Sequence, residues 1–134
     1  MYGDTYLDIP MAAVFQRFEK CAQPALITVI ENIESIRRQE SNTSYDRSRM
    51  LINDYNKEKP SENMHHIEYG LSFFNADIFA KPEPKNVYDL GEKFKKLAKS
   101  GQLAGYEVQN RFYEINTPES LIETRAYLSR NNLF

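Results

Sequence analysis

Tryptophan is missing from these 134 residues, cysteine occurs once, histidine twice and glycine five times. The lone Cys21 excludes an intrachain disulfide, and a reducing cytoplasm is the expected location. Its bland role, a half-buried helix residue, outweighs that of a nucleophile. His65 and His66 are adjacent, so on a strand they face opposite ways and do not share a metal. With one cysteine besides, zinc ligands are too few. No Ser-His-Asp or Cys-His arrangement stands out, and no residue is assigned a catalytic role. No apolar run approaches the roughly 20 residues of a membrane span. The opening Met1-Tyr2-Gly3-Asp4 lacks the basic and apolar regions of a signal peptide. A net charge of -2 argues against a nucleic-acid surface.

What is present is ordinary soluble material, 41% hydrophobic and 27% charged, in a length that suits a single domain over 1–134. Tyr2 to Leu7 reads as a strand end. Asp8 is placed to cap a helix with Pro10 in its first turn, where Met11, Val14, Phe15 and Phe18 recur at helical spacing. Ala25 to Ile30 is β-branched and apolar, a strand buried on both faces. Strand, helix and buried strand together predict a βαβ unit in a parallel sheet. Glu31 to Gln39 is a loop or a short helix.

Asn42–Tyr45 and Met50–Tyr55 read as strands around the turn Asp46-Arg47-Ser48-Arg49. Lys57 to Asn63 is a loop. Ile67 to Phe74 is a strand carrying Gly70, where a ligand or another backbone can come close. Asn75 caps a helical turn to Phe79, and Lys81-Pro82-Glu83-Pro84 is a linker. Val87 to Ser100 forms a helix that Gly101 ends, with Lys93, Lys95, Lys96 and Lys99 on its solvated face. Leu103–Val108 and Phe112–Ile115 are short strands. Thr117-Pro118-Glu119 opens a last helix running to about Arg130. The fold class is thus α/β: a mixed sheet flanked by helices.

Two segments carry candidate chemistry. Tyr2-Gly3-Asp4-Thr5-Tyr6-Leu7-Asp8 and Arg111-Phe112-Tyr113-Glu114-Ile115-Asn116-Thr117-Pro118 each place a carboxylate at a strand end before a turn. Asp4 and Glu114, brought together, would hold a Mg²⁺ ion on phosphate oxygens. The bland alternative leaves Asp4 in a turn and Glu114 solvated. For an organic ligand, Glu68-Tyr69-Gly70 combines a carboxylate, an aromatic ring and bare backbone. Lys57, or Lys59 beside Glu58, can reach a sugar phosphate, and Asn42 can present its amide to hydroxyls.

In this order the segments resemble the C-terminal part of the sugar-1-phosphate nucleotidyltransferases, nearest the heptose- and mannose-1-phosphate guanylyltransferase-like proteins. The Gly3-Asp4 segment looks like the family's metal motif. Ser41-Asn42 and the hairpin look like its sugar-binding strand. Tyr55-Asn56-Lys57 to Pro60, Met64 and Ile67-Glu68-Tyr69-Gly70-Leu71 look like its sugar-phosphate segment. Leu103–Val108 with Arg111–Ile115 look like its closing hairpin, and Thr117–Leu121 like its last helix start. The resemblance implies an incomplete Rossmann-like fold and a transferase reaction in which a sugar 1-phosphate attacks the α-phosphorus of a nucleoside triphosphate. Asp4 and Glu114 would then hold Mg²⁺. Asn42, Glu68 and Gly70 would contact the sugar, and Lys57 or Lys59 its phosphate.

The family's Gly-rich triphosphate loop has no counterpart among the five scattered glycines, and Asn116 stands where Gly is usual. The expectation is a truncated or split form, inactive alone, that forms a homo-oligomer or needs a complementing N-terminal half. A binding or regulatory module without chemistry remains the alternative.

Overall fold

In the computed structural model, residues 3–33, 40–80, 89–131 and 133 are described. The strand start at Tyr2, residues 34–39 of the predicted loop or helix, the linker at 81–84 and the helix start at 87–88 lie outside them.

The chain runs β1 (Thr5–Tyr6), α1 (Met11–Lys20), β2 (Ala25–Glu31), β3 (Thr43–Asp46), β4 (Leu51–Tyr55) and β5 (His66–Phe74). A 3₁₀ turn follows at Ala76–Phe79, then α2 (Leu90–Lys99), β6 (Leu103–Val108), β7 (Tyr113–Glu114) and α3 (Pro118–Arg130). Five strands close on themselves in the order β2-β5-β3-β4-β6, and β1 and β7 form a separate two-stranded ribbon. The mixed α/β class holds, whereas an open Rossmann-like sheet does not: hydrogen bonding returns from β6 to β2.

The expected βαβ unit is not formed. β1 pairs antiparallel with β7, while the parallel neighbour of β2 is β6, in register from Ala25↔Leu103 to Ile30↔Val108. Nor do β6 and β7 make a hairpin, since each finds its partners elsewhere. A two-residue strand adds too few ladder bonds to dictate its own partner, so tertiary packing decides.

The burial of β2 on both faces explains its composition. Leu26 and Ile30 join Val14, Ile67, Tyr69 and Leu71 on the α1 side. Ala25, Ile27 and Val29 join Ile52, Tyr55, Phe94, Leu97 and Leu103 on the α2 side. Phe94 stacks on Phe74 at 5.7 Å and meets Tyr55 edge-on at 5.2 Å, so α2 is anchored by aromatic contacts as well as by burial. Gly105 is required on β6: a Cβ there would lie 2.5 Å from the Tyr45 ring.

Local signals held at several ends. Asp46 accepts from the Ser48 and Arg49 backbones and so ties the β3–β4 turn. Asp89 caps α2 by accepting from Gly91 and Glu92, and Gly101 beyond its end has φ +68°. Thr117 and Ser120 form a reciprocal cap at α3, with Pro118 in its first turn. Two expected caps are absent. Asn75 makes no side-chain cap, and α1, with Pro10 at its N-cap position, has none either. Asp8 is engaged elsewhere: its carboxylate accepts from the Tyr127 hydroxyl at 2.7 Å and from Asn110 at 3.1 Å.

Candidate functional site

A cleft of about 450 Å³ opens between the ring and the β1/β7 ribbon. Thr5, Glu40, Asn42, Lys57, Glu68, Tyr69, Gly70, Phe112 and Glu114 line it. Five sequence-predicted residues therefore share one wall system: Asn42, Lys57, Glu68, Gly70 and Glu114. Two do not line it. Lys59 is exposed, its backbone N–H donating at 3.0 Å to Asn56 Oδ1, which caps the turn. Asp4 stands one residue beyond Thr5.

The ribbon sets the metal candidates. Thr5 is directly across from Glu114. The Asp4 carbonyl accepts from Ile115 N–H at 3.0 Å, so the two predicted carboxylates sit on adjoining rungs. The Thr5 hydroxyl donates to Asp4 Oδ1 at 3.1 Å, and Asn116 donates to Glu114 Oε2 at 3.0 Å. No group of three or more His, Cys, Asp or Glu residues is gathered for a metal among the described residues. Asp4 and Glu114 offer hard oxygen donors of the kind Mg²⁺ takes, and of the two only Glu114 lines the cleft.

The ring sets the organic side. Glu68 is almost fully buried, its side chain 3% exposed, and it pairs with half-exposed Lys57 at 3.0 Å. The Tyr55 hydroxyl reaches Glu68 Oε2 at 3.5 Å. Burial works against the Lys57 charge, but the Glu68 carboxylate more than offsets it, so the ammonium is held well above its ordinary range. Lys57 is therefore charged at any physiological pH. Asn42 is buried, and its Oδ1 accepts from Glu68 N–H at 3.0 Å and from the Thr43 hydroxyl at 2.7 Å. With the carbonyl so used, its NH₂ is the group that can donate to a ligand.

Gly70 has φ +103°, a conformation that side chains rarely adopt. It lies in a bulge of β5: Ile27 pairs with Ser72, but Val29 pairs with Glu68. The Tyr69 ring packs in the core beside the cleft and meets Phe112 edge-on at 5.4 Å. Its hydroxyl is buried beside Asp8. Burial and then the Asp8 charge push that hydroxyl's pKa up, so it stays neutral.

Sequence reasoning offered Tyr69 as an aromatic for an organic ligand but assigned no role to Thr5, Glu40 or Phe112. Strand alternation could have flagged Thr5, since the residue opposite Glu114 shares its face. Glu40 sits in no motif.

With the fold and the cleft in view, the class is that of a mixed α/β domain with a polar cleft at a β-bulge. Among solved structures the chain is similar to a Bacillus anthracis protein described as a glucose-1-phosphate thymidylyltransferase and crystallised with sucrose. The likeness has a TM-score of 0.71 at 14% identity, covering 93% of this chain and 51% of that one. The chain shares the fold of that structure and spans about half its length. No protein-family model and no curated protein matches the sequence. No helix among the described residues is long and apolar enough to cross a membrane.

Proposed function

We propose that this chain is the sugar-phosphate- and metal-binding part of a nucleotidyltransferase, acting on a sugar 1-phosphate and a nucleoside triphosphate. The observation that carries the reading is the convergence of Asn42, Lys57, Glu68, Gly70 and Glu114 on one cleft, in a fold of that type. Asn42 would donate to a sugar hydroxyl, and Glu68, held in place by Lys57, would accept from another. Gly70 would let the sugar approach bare backbone. Lys57, rather than Lys59, would supply positive charge toward the phosphate. Asp4 and Glu114 would hold Mg²⁺, which supplies charge neutralisation on phosphate oxygens when bound.

The sequence has no Gly-rich cluster to cradle a triphosphate. The chain alone should therefore bind a sugar phosphate without transferring a nucleotidyl group, and a complementing nucleotide-binding half would be needed for turnover. Calorimetry with glucose 1-phosphate tests this. Binding is expected to strengthen with Mg²⁺, and Asp4→Ala should remove that gain while leaving metal-free binding intact. No binding by the native chain, with or without Mg²⁺, would refute the reading. Formation of a nucleotide sugar by the isolated chain would refute its inactivity. The second reading, a non-catalytic binding module, is favoured by the missing cluster and predicts binding indifferent to Mg²⁺.

A further inference from the structure

β2 is apolar at every buried position but one. Thr28 sits in its middle, fully buried, between Ile27 and Val29. On one side its backbone continues the parallel ladder to Tyr106. On the other side the antiparallel ladder to β5 breaks here. Ile27 pairs with Ser72 and Val29 with Glu68, so one residue of β2 faces three of β5, Tyr69, Gly70 and Leu71. The Thr28 hydroxyl fills that gap. It donates to the Leu71 carbonyl at 2.9 Å and accepts from the Leu71 N–H at 3.3 Å. Removing it takes one hydrogen-bond partner from each of these two backbone groups, which favours a slip back toward regular pairing.

The segment so held is the wall of the cleft. Glu68 begins it, pinned at its N–H by Asn42, and Gly70 with its positive φ lies in the centre. Asn42 fixes one end of the bulge and Thr28 fixes the other. We infer that Thr28, which does not itself line the cleft, is a positioning residue that sets the bulge and with it the placement of Glu68 and Gly70 for ligand. This rests on the sugar-phosphate reading of the cleft for its ligand. The shaping of the bulge stands on the hydrogen bonds alone.

Thr28→Val keeps the shape and removes the hydroxyl; Thr28→Ser keeps the hydroxyl. Two readouts apply: amide hydrogen exchange at Leu71 and Gly70, and affinity for glucose 1-phosphate with Mg²⁺. Thr28→Val should speed Leu71 exchange and weaken affinity on the order of tenfold, the scale of one or two lost buried hydrogen bonds. Thr28→Ser should restore both. Leu97→Ala, a core change on the α2 side, should lower stability but leave the affinity of the folded protein unchanged.

Native-like exchange and affinity in Thr28→Val would overturn the inference, as would failure of Thr28→Ser to restore them. If Thr28→Val does not fold, Thr28→Cys, whose thiol bonds weakly, should exchange Leu71 faster than both Thr28→Ser and the native chain, and native-like exchange in Thr28→Cys would overturn the inference. If the native chain binds no sugar phosphate, the functional reading fails, and Leu71 exchange alone decides the role of Thr28.

Discussion

The two walls of the cleft are built unlike each other. The ring wall carries Asn42, Lys57, Glu68 and Gly70, and the core behind it is buried on both faces of β2. The ribbon wall carries Thr5 and Glu114 on strands of two residues each. Behind that ribbon lies α3, of which Thr124 is the only residue buried among those described. Leu121 and Ile122 of α3 and Ile115 beside it are exposed. What holds the ribbon is a clasp. The Tyr127 hydroxyl donates to Asp8, Tyr127 stacks on Tyr113 at 4.0 Å, and Thr124 donates to the Glu114 carbonyl at 2.8 Å. Apolar burial fixes one wall and a few polar and aromatic contacts fix the other. The ribbon, with the metal candidates, is therefore expected to open at lower free energy than the ring wall.

The comparison can be broken most decisively in the ring. Phe94→Ala, at a site 1% exposed, should cost about 3–5 kcal/mol in denaturant unfolding, with both walls lost in one transition. A cost below about 1 kcal/mol would mean that α2 is not part of the cooperative unit.

A smaller effect is expected at the polar pin of the ring. Arg47 donates to both Glu107 and Glu31, and the His66 ring meets Glu107 at 2.8 Å. Hydrogen bonds from Arg47, joined by His66 and opposed by partial burial, hold the Glu107 carboxyl below its ordinary 4.5. A depressed folded pKa adds stability that is present above the ordinary carboxyl value and lost as pH falls through the lowered one. Glu107→Gln should thus cost up to about 1 kcal/mol at neutral pH, given how exposed Arg47 is. The gap to native should close in acid, measured by urea midpoints across pH. A gap that widened in acid would contradict the assignment.

The mildest change sharpens the contrast at the clasp. The Tyr127 hydroxyl is pushed up to about 12, first by its hydrogen bond to Asp8 and then by burial and the Asp8 charge. Tyr127→Phe removes that bond. Amides of α3 and β7 should exchange several-fold faster, while those of β2 keep native protection. Equal acceleration in both regions would erase the distinction between the walls.

Helix ends were open to reading because their chemistry is local: Thr117-Pro118 and Gly101 stop or start a helix within one turn. β2 was equally plain, since six consecutive apolar or β-branched residues need two covered faces. The candidate residues of the cleft were legible as types, a carboxylate, an amide, a lysine and a bare backbone. Their company was not. Lys57 and Lys59 are equivalent as sequence, yet only Lys57 meets a buried carboxylate. Asp8 looked like a cap because caps are local, but its partner Tyr127 lies 119 residues away.

By itself, then, the amino-acid sequence determined a mixed α/β chain, the end of α2 and the start of α3, its double-faced strand and the kinds of side chain available for a polar ligand. All of these depend on interactions within a few residues. Only the tertiary structure decided that β1 joins β7, that the sheet closes through β6, and that a buried hydroxyl at Thr28 opens β5 into a bulge. Strand partners are chosen by packing between segments far apart in the chain, and no spacing along the chain encodes that choice.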